Sequence, residues 1–202
     1  MTIKGPTAAD LQGTLDRQVQ IVARRVRAWT PADWDAGSTN PGWTNADTVW
    51  HLVSALTRYA HGVELRDQAS RPDFPTPERP PTAHLAGRLQ AAGERLVELL
   101  GQVEPTRNVW HPRYRFSART MAAVALSEVV LHRWDLTGPG DRGPEPRAAR
   151  LVLQGLFASQ DDSGASPADL LLHVSGRRRI EGRPGWRGGD WQWELLDQAA
   201  AD

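Results

Sequence analysis

The sequence predicts a mainly α protein, a four-helix bundle followed by a small C-terminal α+β extension. Three observations predict it. Four stretches place apolar residues at three- and four-residue spacing over about five helical turns each. A proline-rich segment, long enough to carry the chain from one end of a bundle to the other, separates the second stretch from the third. Beyond about residue 140 the texture changes to shorter apolar runs divided by Gly and Asp turns. The expected division is residues 1–140 for the bundle and 141–202 for a helix with short strands.

The first helix is expected over about 8–29, with Leu11, Leu15, Val19, Val22 and Val26 on one face. It ends at Thr30-Pro31, because the residue before proline is pushed out of the α region. Trp34 and Trp43 flank the loop that follows, either covering the end of the core or walling a ligand pocket. The second helix starts at Thr44, whose side chain can cap the Asp47 amide, and runs to about Arg66. Its band of Val49, Leu52, Leu56 and Val63 leaves His51 at the edge, with Ala55 and Arg58 following on the same side. Pro72, Pro75, Pro77, Pro80 and Pro81 make the next segment an extended crossing. The third helix spans about 83–103. Residues 108–116 read as a loop that interleaves aromatics with Arg113 and Arg115; it is either a solvated link with anchoring rings or an anion site, since arginine suits forked recognition of carboxylates. The Trp43 loop and the Arg113–Arg115 loop precede the second and fourth helices, and both are expected at the same end of the bundle.

The fourth helix begins near Ser117 and continues to about Gly138, with no Gly or Pro inside it. Residues four apart lie on one helical face, roughly 6 Å from each other. Glu128 and His132 therefore point the way that Met121 and Val124 point, toward the interior. A buried carboxylate and imidazole need partners. They can satisfy each other in a polar gap, or a divalent metal can satisfy both. Bundles build metal sites from side chains on facing helices, and His51 on the second helix would complete a His–Glu–His set. Three such ligands leave a coordination position open, the catalytic zinc pattern; nickel or ferrous iron would accept them too. Asp135, one turn beyond His132, either takes the free ring N–H or caps the helix end. Asp135 and Arg58 are the candidate catalytic groups.

In the C-terminal part, 145–160 is expected to be a fifth helix, 170–174 and 191–195 short strands, and 178–180 a weaker third strand. The run Arg177–Arg179 reads as a solvated turn.

Composition bounds the function. Among 202 residues there is no cysteine, so disulfides, thiolate zinc sites and a cysteine nucleophile are excluded. Equal counts of 24 basic and 24 acidic residues argue against a nucleic-acid surface. No stretch approaches the roughly 18 apolar residues of a membrane span, and no apolar leader is evident; a cytoplasmic protein, monomeric or homodimeric, is expected. The loop arginines and Arg58 favour a small anionic substrate or the carboxylate of a small thiol cofactor.

Asn40-Pro41-Gly42-Trp43-Thr44, with Asp47 and then His51-Leu52, resembles the P-G-W-T-x-x-D-x-x-x-H-L signature of the DinB-like bundle superfamily. Glu128-x-x-x-His132-x-x-Asp135-Leu136 resembles the matching segment of the mycothiol-dependent maleylpyruvate isomerase family. The resemblance covers about residues 8–138. It implies a DinB-like four-helix bundle, a divalent metal (usually zinc), and a low-molecular-weight thiol, mycothiol or similar, that adds to a cis double bond and leaves after rotation. The loop placement expected above makes Trp43, Arg113 and Arg115 the candidate residues for holding such a thiol, with Arg113 or Arg115 on a carboxylate and Trp43 over the apolar part. Relatives often carry Cys before the Pro-Gly pair where this chain has Asn40, which bears on the pocket and not on the metal ligands. Three functions follow: a thiol-using isomerase or S-transferase acting on a small electrophile, a hydrolase with metal-activated water, and a metal- or ligand-binding module without turnover. Asp47 is the only candidate for the hydrolase's general base.

Overall fold

The computed structural model describes residues 5–137, 143–157 and 164–183. Four helices of 20 residues each form the bundle: α1 (Ala8–Arg27), α3 (Asn45–Glu64), α4 (Thr82–Gly101) and α5 (Ala118–Thr137). A five-residue helix, α2 (Pro31–Asp35), lies between the first two. Helix α1 begins where the Thr7 hydroxyl accepts from the Asp10 amide. The Thr30-Pro31 step that ends α1 also starts α2. There the Thr30 hydroxyl accepts from the Asp33 amide while the Asp33 carboxylate takes the Thr30 N–H. The same reciprocal cap opens α3, between Thr44 and Asp47.

Around the bundle, α1 packs on α4 and α5, and α3 packs on the same two, so α4 and α5 sit on a diagonal. Side-chain pairs fix the directions. Arg27 meets Gln90 while Gln20 meets Glu94, so α1 and α4 are antiparallel. Arg95 of α4 bonds Glu64 at the end of α3, so those two run parallel. Parallel neighbours need a long return. Residues 66–81 supply it, running back along α3 from His61, which contacts the Asp73 carbonyl oxygen, to Asp47, which accepts from Arg79 at 2.7 Å.

The segment expected as a loop at 108–116 is a two-stranded antiparallel hairpin, β1 (Asn108–Trp110) and β2 (Arg115–Ser117). Three-residue strands around Pro112 give too little alternation to recognise in sequence. It docks on α3 at Gly62, where a Cβ would lie 1.8 Å from the Trp110 carbonyl oxygen. Because α3 and α5 are antiparallel, the hairpin that leads into α5 lies at the C-terminal end of α3. The Trp43 loop lies at the other end, so the expectation that the two loops share one end is corrected.

Helix α5 is buried on almost every side. Its outer face is covered by α6 (Pro146–Leu156), which packs on it and brings Ala149, Val152 and Leu156 into the same apolar core. A chain of hydrogen bonds ties the three helices: Arg133 donates to Gln18 at 2.8 Å, and Gln18 to Glu145 at 2.7 Å. Residues 170–174, expected as a strand, are helical and belong to α7 (Pro167–Val174). A short apolar run cannot be assigned by periodicity alone; the Ser166-Pro167-x-Asp169 start signal decides it, with the Asp169 amide donating to the Ser166 hydroxyl. Arg178–Ile180 forms no strand, and 191–195 lies outside the described residues.

Gly62→Ala should lower stability by roughly 2–4 kcal/mol, because the obstacle is backbone on both sides. Gly87→Ala on α4, where a Cβ meets open space, should instead raise it by about 0.4–1 kcal/mol. Urea unfolding of both variants checks the contrast; a similar small effect at the two sites would refute the tight α3–hairpin contact.

Candidate metal centre

Helix α3 presents His51 and α5 presents Glu128 and His132 to the seam between them. One ligand atom from each lies within 4.8 Å of the others. Both imidazoles direct Nε2 at the same carboxylate oxygen: His51 at 3.2 Å and His132 at 3.3 Å from Glu128 Oε2. The second oxygen, Oε1, accepts from the Tyr59 hydroxyl at 3.4 Å. Glu128 is thus a 15 % exposed side chain held by three polar groups. Burial opposes its ionisation, but the hydrogen bonds and charge of His132 and His51 prevail and keep its carboxyl well below the usual carboxylate range.

His132 turns its other nitrogen, Nδ1, to Asp135 Oδ2 at 2.8 Å. With Nδ1 protonated toward Asp135, the Nε2 lone pair faces the seam. Burial disfavours the charged imidazole, and the hydrogen bonds of Asp135 and Glu128 outweigh that, so its pKa is raised. Asp135 itself is nearly buried, and burial would raise its pKa. His132 and a forked pair from Arg177, at 2.9 and 2.8 Å, bring it down to about 2. The Thr39 hydroxyl donates to Asp135 Oδ1 at 3.1 Å and the Thr39 amide to its carbonyl at 3.0 Å, which anchors the Trp43 loop to α5. In that loop Pro41 and Gly42, at φ +79°, make a turn closed by the Trp43 amide on Asn40.

The turn delivers Trp43 over both histidines. Its ring lies parallel to His132 at 6.1 Å and tilted to His51 at 5.1 Å. Beside it a groove of about 420 Å³, lined by Gly42, Trp43, Asp47, Trp50, His51 and Ser54, opens the His51 side to solvent. Asp47 is a weak base: Thr44 bonds Oδ2 and Arg79 bonds Oδ1, and the Thr44 bonds first of all lower its pKa to about 2.

The other flank is built on Tyr59 and His111, whose rings are 5.0 Å apart. His111 is buried, and its Nδ1 accepts from the Arg113 amide at 3.1 Å. Burial, and then the charges of Arg58, Arg113 and Arg71, lower its pKa to about 4, while Glu128 pulls the other way. These three guanidinium groups therefore lie within electrostatic reach of one neutral imidazole. Arg58 also donates to the Ser54 carbonyl at 3.4 Å. Arg115 is drawn elsewhere: its guanidinium lies 4.5 Å over the Trp110 ring.

The structure thus brings His51, Glu128, His132, Asp135 and Trp43 together, ties the Arg58 side chain to its own helix at Ser54, joins the Arg113 backbone to His111, and leaves Arg115 on the hairpin. The sequence reading missed Tyr59, Thr39, His111 and Arg177. Tyr59 stands eight residues after His51, on the same stripe of α3, so its spacing was a usable signal. Arg177 lies 42 residues from its partner, and no local pattern announces it. The donor set suits a divalent metal: two imidazoles and one carboxylate, converging through atoms free of backbone, with one imidazole already backed by a carboxylate.

A helical bundle with a His–Glu–His seam between neighbouring helices defines the class. The family model for the mycothiol maleylpyruvate isomerase N-terminal domain matches residues 15–137, more than half of the chain, and the protein belongs to that family. Neither the curated proteins nor the solved structures return a match. Among the described residues no helix is long and apolar enough to cross a membrane.

His111 gives a pH prediction. It is neutral in the fold down to pH about 4, whereas an unfolded histidine takes up its proton near 6.5. Its contribution is fully present above pH 6.5 and is lost as pH falls to about 4. The size is on the order of 3 kcal/mol. Urea unfolding in chelator across this range should show that slope in the wild type and a shallower one in His111→Gln; parallel slopes would exclude His111 as the source.

Proposed function

We propose that this protein is a metal-dependent enzyme that uses a small thiol of the mycothiol type on a small, anionic electrophile, as an isomerase of the maleylpyruvate kind or as an S-transferase. The observation that carries the reading is the convergence of three ligand atoms within 4.8 Å from two neighbouring helices. When bound there, a divalent ion such as zinc favours thiolate over thiol, and the thiol supplies a nucleophile that can also leave.

The residues divide the work. His51, Glu128 and His132 would hold the metal. Asp135 fixes the His132 tautomer, so that Nε2 is the ligating atom. Tyr59 occupies the Glu128 oxygen that faces away from the histidines and so orients the carboxylate. Trp43 packs its ring against both imidazoles. The groove beside it supplies the approach for a ligand larger than water. At the Tyr59–His111 flank, Arg58 and Arg113 attract a carboxylate, and the buried, neutral His111 adds no charge of its own. The chain has no cysteine, so any sulfur nucleophile must be carried in by a small molecule. Asp47 is bonded by Thr44 and Arg79 and its pKa is held at about 2, which supports the thiol reading over a hydrolase that needs a stronger general base.

Purified protein should carry about one divalent metal per chain, and His51→Ala, Glu128→Ala and His132→Ala should each lose it. Full metal content in any two of these variants excludes the site. Calorimetry with mycothiol in buffers of different ionisation enthalpy should show binding to the metal-loaded wild type with proton release near neutral pH, and none to His51→Ala. Equal binding to both, or binding without proton release, excludes the thiolate mechanism.

A further inference from the structure

Arg177 lies well outside the bundle in sequence, yet its side chain is only 14 % exposed and its Nε and Nη2 grip both oxygens of Asp135, itself 3 % exposed. The fork is aimed by the end of α7. Gly176 takes φ +73°, the Gly176 amide donates to the His173 carbonyl, and the Arg177 amide donates to the Leu172 carbonyl at 2.8 Å. This is the paired closure by which a left-handed glycine ends a helix. It turns the chain abruptly, so that the next residue points back at α5 instead of out to solvent. A forked arginine–carboxylate pair fixes the plane of the carboxylate as well as its charge. With Arg177 on one edge and Thr39 on Oδ1, Asp135 has one direction left in which to meet His132 Nδ1.

We infer that Arg177 is a positioning residue for the metal centre, and that docking of the α7 segment and metal binding at His51, Glu128 and His132 are coupled through Asp135. The inference rests on the metal reading above. Without the fork, Asp135 is a buried carboxylate held by Thr39 and His132 alone, and the His132 ring loses part of the constraint that presents Nε2. Groups that orient a ligating histidine typically change metal affinity by roughly 10–100-fold. Coupling is reciprocal: whatever α7 docking adds to metal affinity, metal adds to α7 docking.

Cobalt(II) is the probe, because its absorption spectrum reports ligand geometry as well as occupancy. Competition with a chelator should give Arg177→Ala an affinity for cobalt roughly 10–100-fold below the wild type, with a changed spectrum at saturation. Arg177→Lys keeps the charge without the fork and should fall between; it also serves if the alanine variant does not fold. Arg178→Ala, which removes the neighbouring exposed pair with Asp169, should match the wild type in affinity and spectrum. In the wild type, cobalt loading should slow amide exchange over Pro167–Val174. A wild type that binds no cobalt overturns the metal reading and this inference with it. A wild type that binds while Arg177→Ala and Arg177→Lys bind equally well, with the same spectrum, overturns the inference alone, as does amide exchange in α7 that ignores the metal.

Discussion

A carboxylate between two helices of a bundle is stable only if its charge is met, and Glu128 meets this constraint with groups from three directions. His51 comes from α3, His132 from its own helix and Tyr59 from two turns further along α3. Taking one of them away leaves a partly buried charge short of a partner, which is costly in an apolar surround. The α3–α5 seam is therefore polar by necessity at this level, while Leu52 and Leu56 of α3 and Val124 and Leu131 of α5 belong to the apolar core the two helices share.

The antiparallel run of α3 and α5 arranges everything else along that seam. The Trp43 loop, which starts α3, covers His51 and His132. The hairpin, which starts α5, arrives at the far end and brings His111 and Arg113 to Tyr59. One end of the seam is thus aromatic and open to a groove; the other holds the buried His111 imidazole against Tyr59. Helix α5 has no solvent face to give up, because α6 lies on the side turned away from the seam and α7 stacks on α6.

What was legible in the sequence was whatever the chain expresses within one helical turn or one helix. Thr44 and Asp47 are three apart and announce their own cap. Glu128 and His132 are four apart and announce a shared face. His51 could be added because α3 carried an apolar band with His51 at its edge and α5 was an apolar run with no break in it. The bundle, the long crossing and the three candidate ligands follow from such signals. The failures have equally physical causes. Leu170-Leu171-Leu172 is an apolar run too short for its period to be read, and the Ser166-Pro167 start signal was the better guide. The hairpin's strands are three residues long. The shared-end expectation for the two loops failed because helix direction is a tertiary fact, set by the long return at 66–81. Arg177 looked like part of a solvated basic turn, since the positive-φ glycine that redirects it leaves no mark on hydropathy.

The diagonal placement of α4 and α5 has a consequence for how much sequence each can absorb. Both are 20 residues long. Helix α4 gives no side chain to the seam; it needs only leucine-sized residues at 85, 89, 96 and 100, and a small one at 93, where Val19 approaches. Many sequences meet that description, because cores accept hydrophobic exchange when volume and pattern are kept. Helix α5 must at once fill the core against α1, carry two of the three candidate ligands toward α3, and fit under α6. Drift in a lineage of such chains can accumulate on α4 with little effect on chemistry, whereas almost every position of α5 answers to two neighbours at a time.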